Sequence, residues 1–569
     1  MSSMGLDEGM RAHLEYPACS IYELVRRSAA VRPERLSYTY YGTGRTYAQL
    51  IGEIDACAGA LCALGIGEGD VVSICMPNMP EAMTAFYAVN RLGAVANMIH
   101  PLSGVAEIER ILSETKSRAL LAVDLVLSRL APSLDRLEVS HIIHASVGDS
   151  MPPLLRAGYR LTKKPQKAFA DPRCISWKQL MKKRAPLPPH SGEGPDVADA
   201  TAVILYSGGT SGIPKGIELT NLNFNALALQ GIEACACIGE GDRVLAVMPI
   251  FHGFGLGICI HTVQVMGGCS ILLPAFRAKA FGRLILKYRP NIIAGVPTLY
   301  EALLSTDCLK GKKLSFLKCV ISGGDALPTG LKHKVDAFLA EHGAAVQVRE
   351  GYGLTECVTG SCLTPPDGYR EGSIGLPYPD TLYRIVRPQT IEELPCGKEG
   401  EIVISGPTVM KGYLGNPEET KKALRRHADG RLWLHTGDLG VMDEDGYVYY
   451  RQRLKRMIIS SGYNVYPGHI ENVLDAHPEV LVSCVIGIPH PYRLQAAKAF
   501  IIPKSFDPTQ ERNAGRVAEL EGELRLLCER ELPKYSWPVA YEFRKELPRT
   551  KVGKLAVTVL EEEEARHAQ

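Results

Sequence analysis

The residues best suited to chemistry form a glycine-rich loop, Tyr-Ser-Gly-Gly-Thr-Ser-Gly-Ile-Pro-Lys-Gly at 206–216. Glycines permit positive φ and close backbone approach, so successive amides can form an anion-binding nest. Hydroxyls and a cation supply further donors. The loop therefore predicts a polyphosphate site, whereas a plain turn between strands is the alternative. The residues that we expect to hold phosphate are Ser207, Gly208, Gly209, Thr210, Ser211, Gly212 and Lys215.

The loop does not have the pattern of a P-loop kinase. That pattern needs Gly before the lysine and Ser or Thr after it, but Pro214 precedes Lys215 here and Gly216 follows. A P-loop kinase is therefore disfavoured.

The segment GYGLTE (351–356) carries three groups that suit a nucleotide. Glu356 could hold Mg²⁺ between its carboxylate and the phosphates, since Mg²⁺ is bound by one or two carboxylates and substrate phosphates. Thr355 offers a hydroxyl to phosphate, and Tyr352 a flat face for adenine. A solvated glutamate and a packed core tyrosine are the alternatives.

Further candidates lie downstream and upstream of this segment. Asp438 in HTGDLG could accept from ribose hydroxyls, and a turn aspartate before glycine is the alternative. Arg453 could donate to ribose or phosphate, or be a linker cation. The sequence around Lys554 is typical of an exposed surface lysine, and the glycine-rich apolar run around His252 is typical of a packed core histidine.

These motifs, in this order, resemble the adenylate-forming (AMP-binding) superfamily, in its acyl-CoA synthetase and fatty acid–CoA ligase branch. The resemblance covers nearly the whole chain. Besides the glycine-rich loop, the matching segments are MPIFHGFGL (248–256), GYGLTE (351–356), HTGDLG (435–440), RQRLKRMIISSGYNVYP (451–467) and PRTKVGK (548–554).

The resemblance implies an enzyme that converts a carboxylic acid and ATP into acyl-AMP and pyrophosphate, and then transfers the acyl group to coenzyme A. It assigns adenine, ribose and Mg²⁺ to the groups described above, with Gly324 and Gly353 beside the nucleotide. Lys554 would bridge the carboxylate and the α-phosphate, Thr210 would act at the phosphates, and His252 would close the acyl tunnel. Lys455 would be the hinge about which a small domain rotates, so that Ser461, Gly462 and Tyr463 line the path of coenzyme A.

The acid is expected to be a fatty acid of medium or long chain. Relatives that activate amino acids place Asp after the residue that matches Phe251, but His252 stands there. Phe251, Gly253, Phe254, Gly323 and Asp325 are expected to line the pocket, with Gly253, Gly255 and Gly257 leaving room for a chain. An aryl acid, or a carrier-protein phosphopantetheine as the acceptor, stays open. A nucleotide-binding regulator without catalysis is disfavoured because Lys554, Glu356 and Asp438 are all present.

Four residues depart from the family pattern. They are Gln452, Arg456, His469 and His490, all in the hinge or the small domain. They leave adenylate formation intact and put the details of thioester formation in question.

The elements that must position these groups alternate between strand and helix patterns, which predicts an α/β fold with mixed and largely parallel sheets. Predicted strands include 71–75, 202–206, 292–296, 401–405 and 480–488, and predicted helices include 47–64, 80–92 and 470–476. We expect an N-terminal nucleotide- and acyl-binding body (1–450), a hinge linker (451–456) and a mobile α+β C-terminal domain (457–569). A Pro-rich basic stretch at about 145–198 is expected to be an excursion from the body.

Composition sets further limits. Apolar residues make up 46% and the net charge is +2, which gives no global field for nucleic acid. Sixteen cysteines show no disulfide framework, and Cys235 and Cys237 form a CxC without a partner pair. We expect a cytoplasmic protein. The stretch from 156 to 184 contains ten Lys and Arg residues and a single acidic residue, Asp171. One interpretation is a solvated loop. The other is weak peripheral membrane binding, with Tyr159, Phe169 and Trp177 at the level of the lipid headgroups.

Overall fold

A computed structural model describes residues 12–162, 171–183, 185–187, 192–207, 214–275, 278–460, 463–550 and 555–567. Its strands are β1 (Leu36–Tyr40), β2 (Thr43–Thr46), β3 (Val71–Cys75), β4 (Val95–Met98), β5 (Ala119–Val123), β6 (His141–Ala145), β7 (Cys174–Ser176), β8 (Thr201–Ser207), β9 (Lys215–Thr220), β10 (Arg243–Ala246), β11 (Cys269–Leu272), β12 (Ile292–Gly295), β13 (Cys319–Ser322), β14 (Val348–Tyr352), β15 (Cys362–Leu363), β16 (Leu376–Pro377), β17 (Leu382–Val386), β18 (Gly400–Ser405), β19 (Gly412–Tyr413), β20 (Leu424–Arg426), β21 (Leu432–Met442), β22 (Val448–Arg453), β23 (Ile458–Ser460), β24 (Tyr463–Val465), β25 (Val480–His490), β26 (Leu494–Pro503) and β27 (Ala540–Phe543).

The α-helices are α1 (Ile21–Val31), α2 (Tyr47–Cys62), α3 (Pro80–Arg91), α4 (Val105–Glu114), α5 (Asp124–Leu130), α6 (Pro153–Thr162), α7 (Trp177–Leu180), α8 (Pro195–Asp199), α9 (Asn221–Cys235), α10 (Val263–Met266), α11 (Phe281–Tyr288), α12 (Pro297–Leu304), α13 (Thr329–Glu341), α14 (Pro417–Ala423), α15 (Pro467–Asp475), α16 (Ala514–Glu531) and α17 (Val557–His567). A π-helical segment, Phe254–Thr262, leads directly into α10. Of the helices in the described ranges, none is long and apolar enough to cross a membrane.

Two large mixed sheets form the N-terminal part. Sheet A has the order β16-β15-β14-β13-β12-β10-β11-β1-β2, and sheet B has the order β19-β9-β8-β4-β3-β5-β6-β7. Inner neighbours such as β12 and β13 or β3 and β4 are parallel, and antiparallel pairs lie toward the edges. One apolar cluster joins the two sheets through residues such as Ile74, Val203, Ile292 and Ile321. The predicted α/β class with mixed sheets is confirmed.

Two smaller sheets follow along the chain. Sheet C is antiparallel, with the order β17-β18-β21-β20, and β22 pairs with β21. Sheet D has the order β24-β23-β26-β25, with β27 parallel to β26. Ile458, Leu474 and Leu524 belong to an apolar cluster of the C-terminal residues. The chain passes from sheet C to sheet D through a single 3-10 turn, Leu454–Arg456.

Local signals explain why the sequence patterns located these elements well. The predicted strands and helices are confirmed with shifts of at most three residues at their ends. Capping fixes several helix starts: Thr46 and Gln49 form a capping box at α2, and Thr220 and Asn223 form another at α9. Helix α9 therefore begins directly after β9.

The structure corrects two expectations about organisation. The basic stretch at 145–198 is not simply an excursion, because β7 adds the last strand of sheet B in parallel to β6. Arg173, just before β7, donates hydrogen bonds to the carbonyl oxygens of Leu137 at 2.7 Å and Val139 at 3.0 Å, which holds this stretch against the sheet. In the linker expected at 451–456, the first three residues belong to β22, which leaves Leu454–Arg456 as the connection.

Candidate active site

The glycine-rich loop joins two antiparallel strands. β8 and β9 pair so that Ser207 lies opposite Lys215, at the two ends of the loop. Gly208, Gly209, Thr210, Ser211 and Gly212 lie outside the described residues. Lys215 Nζ donates to Glu419 Oε2 at 2.6 Å and lies 5.0 Å from the centre of the Tyr413 ring. Hydrogen bonds from Lys215 and Lys422 lower the pKa of Glu419 to about 2, so this ion pair persists at neutral pH.

Tyr413 connects the loop to the carboxylate expected to hold Mg²⁺. It lies on β19, which pairs with β9 opposite Ile217, and its hydroxyl donates to Glu356 Oε1 at 2.9 Å. Burial and the charge of Glu356 raise the pKa of Tyr413, which keeps the phenol neutral. Sequence reasoning missed Tyr413, because a two-residue strand has no periodic signal, and it also missed Glu419 in the first turn of α14.

Glu356 follows β14 on a short turn, with the buried Thr355 beside it. Of the described residues, only Tyr413 lies within hydrogen-bonding distance of the Glu356 carboxylate. Three or more His, Cys, Asp or Glu side chains do not cluster as a metal cage anywhere in the described ranges. A single carboxylate that completes its coordination with phosphates and water suits Mg²⁺, so the donor set fits that ion.

Tyr352 and Arg453, at the ends of β14 and β22, meet Asp438 in the middle of β21. The Tyr352 hydroxyl donates to Asp438 Oδ2 at 2.7 Å, and Arg453 Nε lies 3.3 Å from Asp438 Oδ1. Asp438 and Arg453 are paired in register between β21 and β22. Burial, together with the charge of Asp438, raises the pKa of Tyr352. Tyr450, which sequence reasoning also missed, has its ring centre 6.0 Å from that of Tyr352.

An apolar cavity extends from Tyr352 across sheet A. Its floor comes from four adjacent strands, with Tyr352 on β14, Ile321 on β13, Ile292 on β12 and Val244 on β10. The remaining walls come from α9, the π-helical segment, α10 and the turns after β13 and β14. The wall residues include Gly231, Cys235, Phe254, Ile258, Thr262, Met266, Gly323 and Gly324.

The structure brings only some of the expected pocket residues to this cavity. Phe254 and Gly323 line it, and so do Gly324 and Tyr352 from the nucleotide set. Phe251 instead packs on His100, with ring centres 4.2 Å apart. Asp325 is exposed, and its Oδ1 accepts from the Ala326 amide. His252 lies two residues before Phe254, and its Nδ1 accepts from the Phe254 amide at 3.1 Å.

The expectation that the 253–257 glycines leave room for a chain is wrong. A Cβ on Gly255 would lie 2.1 Å from the carbonyl oxygen of Pro249, and one on Gly257 would lie 2.6 Å from Leu227. A Cβ on Gly253 would lie 3.1 Å from Thr359. These glycines let the segment pack closely against its neighbours. Gly353 is similar, since its Cβ would lie 2.1 Å from the Thr359 carbonyl oxygen.

The expected hinge and coenzyme A residues are only partly described. The backbone of Lys455 lies on the Leu454–Arg456 turn, and that of Tyr463 begins β24. Ser461, Gly462 and Lys554 lie outside the described residues.

The four departures from the family pattern have defined surroundings. Arg456 Nη2 donates to Glu471 Oε1 at 2.6 Å, which joins the turn to α15. Gln452 is buried on β22. Burial, with the charge of Arg451, lowers the pKa of His469. His490 ends β25, where its Nδ1 accepts from the Tyr492 amide.

Comparisons with known proteins agree with this geometry. A model of the AMP-binding enzyme family matches residues 25–414, and one of the AMP-binding enzyme C-terminal domain matches 469–554. A long-chain-fatty-acid–CoA ligase of Bacillus subtilis is 34% identical over 97% of this chain and 96% of its own length. A feruloyl-CoA synthase of Amycolatopsis is 31% identical over 93% and 96%. The ATP-bound crystal structure of MatB from Rhodopseudomonas palustris superposes with a TM-score of 0.80 at 26% identity, covering 95% of this chain and 98% of that one. The chain therefore belongs to the AMP-binding enzyme family and is an AMP-forming acid–thiol ligase.

Proposed function

We propose that this enzyme activates a fatty acid of medium or long chain and transfers it to coenzyme A. The observation that carries the proposal is the length of the apolar cavity. Strands lie about 4.8 Å apart, so a cavity across four of them is about 14 Å long. An extended chain covers about 1.2 Å per bond, so about a dozen carbon atoms fit this distance. A single-ring acid would leave the end near Val244 and Met266 empty.

The residues around the nucleotide support the following roles in the first step. The carboxylate oxygen of the acid attacks the α-phosphorus of ATP, and the bond to pyrophosphate breaks. Ser207, Lys215 and the loop between them hold the phosphates, Thr355 donates to phosphate, and Asp438 and Arg453 hold the ribose. Glu356 would bind Mg²⁺, which when bound neutralises phosphate charge. Lys554 stabilises the negative charge that gathers on the α-phosphate.

In the second step the thiol of coenzyme A attacks the acyl carbon, the thioester forms and AMP leaves with the bonding electrons. The single turn between sheets C and D supports a hinge at Lys455, because three residues, Leu454–Arg456, make the connection between the two sheets. Coenzyme A as the acceptor is supported by the names of the relatives. Loading of a carrier protein is the alternative, and the same arm of phosphopantetheine would serve it.

Gly231 offers a direct test of the fatty acid proposal. It lies inside α9 on the cavity wall, and its Cβ would meet only Thr262, at 3.8 Å. The Cβ of a residue at 231 therefore has room, and we expect the side chain of Gly231→Leu to extend into the cavity. We expect a dodecanoate-to-octanoate ratio in kcat/KM that falls about 10- to 100-fold, because filling the site excludes several methylenes.

Gly231→Ala is the matched control, because it adds a single methyl in ordinary contact with Thr262. It should keep the wild-type preference to within a few-fold and keep the fold, since Ala is the better helix former. A wild-type enzyme that prefers ferulate over every fatty acid, with equal effects of Gly231→Leu on all chain lengths, would contradict the proposal.

We also propose weak peripheral binding to anionic membranes through the segment 153–183. Helix α6 exposes Leu154 and Leu161, each to 89%, and it carries Arg156 and Arg160. Tyr159 and Trp177 pack against the apolar core instead of lying free to reach the lipid headgroups. Phe169 lies outside the described residues. In this proposal, the exposed leucines of α6 are the apolar groups that contact the membrane. The exposed Lys182 and Lys183 lie later in the same segment.

A further inference from the structure

A second cavity is formed by β1, α3 and α7, with no lining residue in common with the cavity beside Tyr352. Strand β1 contributes Tyr38 and Tyr40, which are two positions apart and therefore lie on one face of the strand. Helix α3 contributes Glu81 from its first turn. Trp177 begins α7 and also lines the cavity, so the basic stretch after β6 supplies part of its wall.

Glu81 is the residue that sets this cavity apart from an ordinary packing gap. It is 3% exposed, and its Oε1 accepts a hydrogen bond from the Ser150 hydroxyl at 2.6 Å. Its Oε2 is shielded from solvent and has no hydrogen-bond partner among the described residues. Burial raises the pKa of Glu81 to about 7, although hydrogen bonds from Ser150 and from its own amide oppose this shift. At pH 8 the carboxyl is therefore mostly ionised, and a donor at Oε2 would offset the cost of burying it.

The other charged side chains on the described cavity wall, Arg45 and Glu53, neutralise each other. Arg45 Nε donates to Glu53 Oε1 at 2.8 Å, and the Tyr38 hydroxyl donates to Glu53 Oε2 at 2.9 Å. Both side chains are partly exposed, so the pair lies closer to solvent than Glu81 does. The charge that remains uncompensated is that of Glu81. The cavity therefore repels a carboxylic acid and attracts a cation.

The rings of Tyr38, Tyr40 and Trp177 give the cavity a preference for an organic cation. Ammonium groups are attracted to the faces of Tyr and Trp rings. The Tyr40 hydroxyl already donates to the carbonyl oxygen of Val147 at 2.8 Å, so the ring is the part of Tyr40 that is left for a ligand. Met181 adds a flexible thioether to the wall, which adapts to apolar groups. A metal ion is disfavoured, because the described residues contain no cluster of three or more His, Cys, Asp or Glu that could hold one.

We propose that this cavity is a second ligand site, which binds a small organic cation with a primary ammonium group and a short apolar tail. The ammonium group donates a hydrogen bond to Glu81 Oε2, and the tail contacts Trp177 and Met181. Binding requires neither ATP nor an acid substrate, so the proposal is independent of the function proposed above. A ligand that binds the folded state alone also stabilises it against unfolding.

Calorimetric titration of the full-length enzyme with n-pentylamine at pH 8 tests the site. The amine stays protonated at this pH, as a lysine side chain does. We expect one equivalent to bind with a Kd of about 1 mM or below, an ordinary affinity for a ligand of this size. Glu81→Gln keeps the shape of the side chain and removes its charge, so it should weaken pentylamine binding about 10- to 100-fold. Pentan-1-ol, which has the same length and no charge, should bind wild type and Glu81→Gln equally.

Two further glutamates provide matched controls. Glu107 lies in the first turn of α4 and does not line the cavity, and Glu356 lies at the nucleotide site. Glu107→Gln and Glu356→Gln should both bind pentylamine as wild type does. If Glu81→Gln does not fold, a crystal structure of the wild-type enzyme with pentylamine decides instead, and the amine nitrogen should lie about 3 Å from Glu81 Oε2.

Three results would overturn the assignment of this site. The first is a Kd for pentylamine weaker than about 10 mM in the wild-type enzyme, which would indicate a cavity that holds only water. The second is equal affinity of wild type and Glu81→Gln, or an equal loss of pentan-1-ol binding in that variant. The third is loss of pentylamine binding in Glu356→Gln, or a bound amine that contacts Glu356 in the crystal, since either would place the amine in the active site.

Discussion

The hydroxyl of Tyr352 donates to Oδ2 of Asp438 at 2.7 Å, although 86 residues separate them in the chain. The bond joins sheet A, which forms the floor of the apolar cavity, to sheet C, whose last strand leads to the Leu454–Arg456 turn. Arg453 lies on the other oxygen of Asp438. Asp438 is thus held in place where the cavity and the turn meet.

Asp438→Asn should raise the KM for ATP about 10- to 100-fold, because a hydrogen bond to a charged acceptor is worth about 1.5–3 kcal/mol. The ATP dependence of the pyrophosphate exchange rate measures this KM. If Asp438 holds the ribose hydroxyls, wild type and variant should become nearly equal with 2′,3′-dideoxy-ATP. Tyr352→Phe, which keeps the ring and the carboxylate, should have the smaller effect. An undiminished difference with the dideoxy nucleotide would show that Asp438 acts only as a structural partner of Tyr352.

Glu356→Gln should lower the rate of pyrophosphate exchange by about 100-fold or more and raise the Mg²⁺ concentration needed for half-maximal rate. The amide keeps the shape and removes the charge on which Mg²⁺ binding depends. Tyr413→Phe is the control, because it removes only the hydrogen bond at 2.9 Å and leaves the carboxylate. Equal Mg²⁺ requirements in wild type and Glu356→Gln would exclude Glu356 as the ligand.

The two half-reactions should separate at the hinge. Lys455→Pro restricts both its own φ and the conformation of Leu454, so rotation at the turn is impeded. We expect near-normal pyrophosphate exchange and a fall of about 100-fold in thioester formation from supplied acyl-AMP, the usual effect of misplaced reacting groups. Stopped assays of each half-reaction measure this. Full activity in both would place the pivot elsewhere.

Lys554→Ala should give the opposite pattern and so serves as the counterpart of the hinge variant. Exchange should be lost, while supplied acyl-AMP is still converted, because Lys554 is proposed to act only while the α-phosphate carries developing charge. Lys551→Ala, three residues away in the same loop, should leave both half-reactions intact. Equal loss of both half-reactions in Lys554→Ala would assign Lys554 a structural role.

Sequence patterns predicted the fold well where a single local signal decides. The strand at 71–75 and the helix start at Pro80 follow from apolar runs and from proline at a first helical turn. The site depends on partners that no spacing encodes, such as Tyr413 between Lys215 and Glu356. Glycine is the clearest example of a residue whose role the sequence does not reveal. At Gly231 it leaves open space, whereas at Gly255 it allows close packing. Only the neighbours brought by tertiary structure distinguish the two.

His261 should make the enzyme sensitive to acid. It is fully buried, with Nε2 3.1 Å from Asn225 Oδ1 and Nδ1 3.5 Å from the Tyr87 hydroxyl, and burial lowers its pKa to about 3. The folded state therefore binds fewer protons than the unfolded state between pH 6.5 and 3, so stability is complete above pH 6.5 and falls below it. At pH 5 the loss is about 2 kcal/mol.

His261→Gln removes this titrating group, so comparison with wild type gives the contribution of His261 to the loss of stability at acid pH. The variant should be less stable than wild type at pH 7.5, and the difference between their thermal unfolding midpoints should shrink as pH falls to 5. Parallel midpoints across this range would show that His261 is not the group responsible.

Binding to anionic vesicles should depend on both charge and leucine side chains of the segment 153–183. Basic residues near an anionic surface contribute about 1 kcal/mol each and act only within a Debye length. Replacing both Lys182 and Lys183 with Gln should weaken binding to phosphatidylserine vesicles by about 30-fold at low salt. Binding of the wild type should fade as salt rises, because screening shortens the reach of each charge. Co-sedimentation over a salt series measures both effects.

Changing Leu154 and Leu161 to Ser should also reduce vesicle binding, since these side chains are the exposed apolar groups of α6. Two controls match the changes in type and exposure: Lys312→Gln with Lys313→Gln, and Leu526→Ser on α16. These should bind as wild type does, and every variant should keep its activity on soluble short acids, because none lies at the cavity or the nucleotide site. If binding is independent of salt, or absent at low ionic strength, the segment is a solvated surface with an exposed helix, and the leucines have no lipid partner.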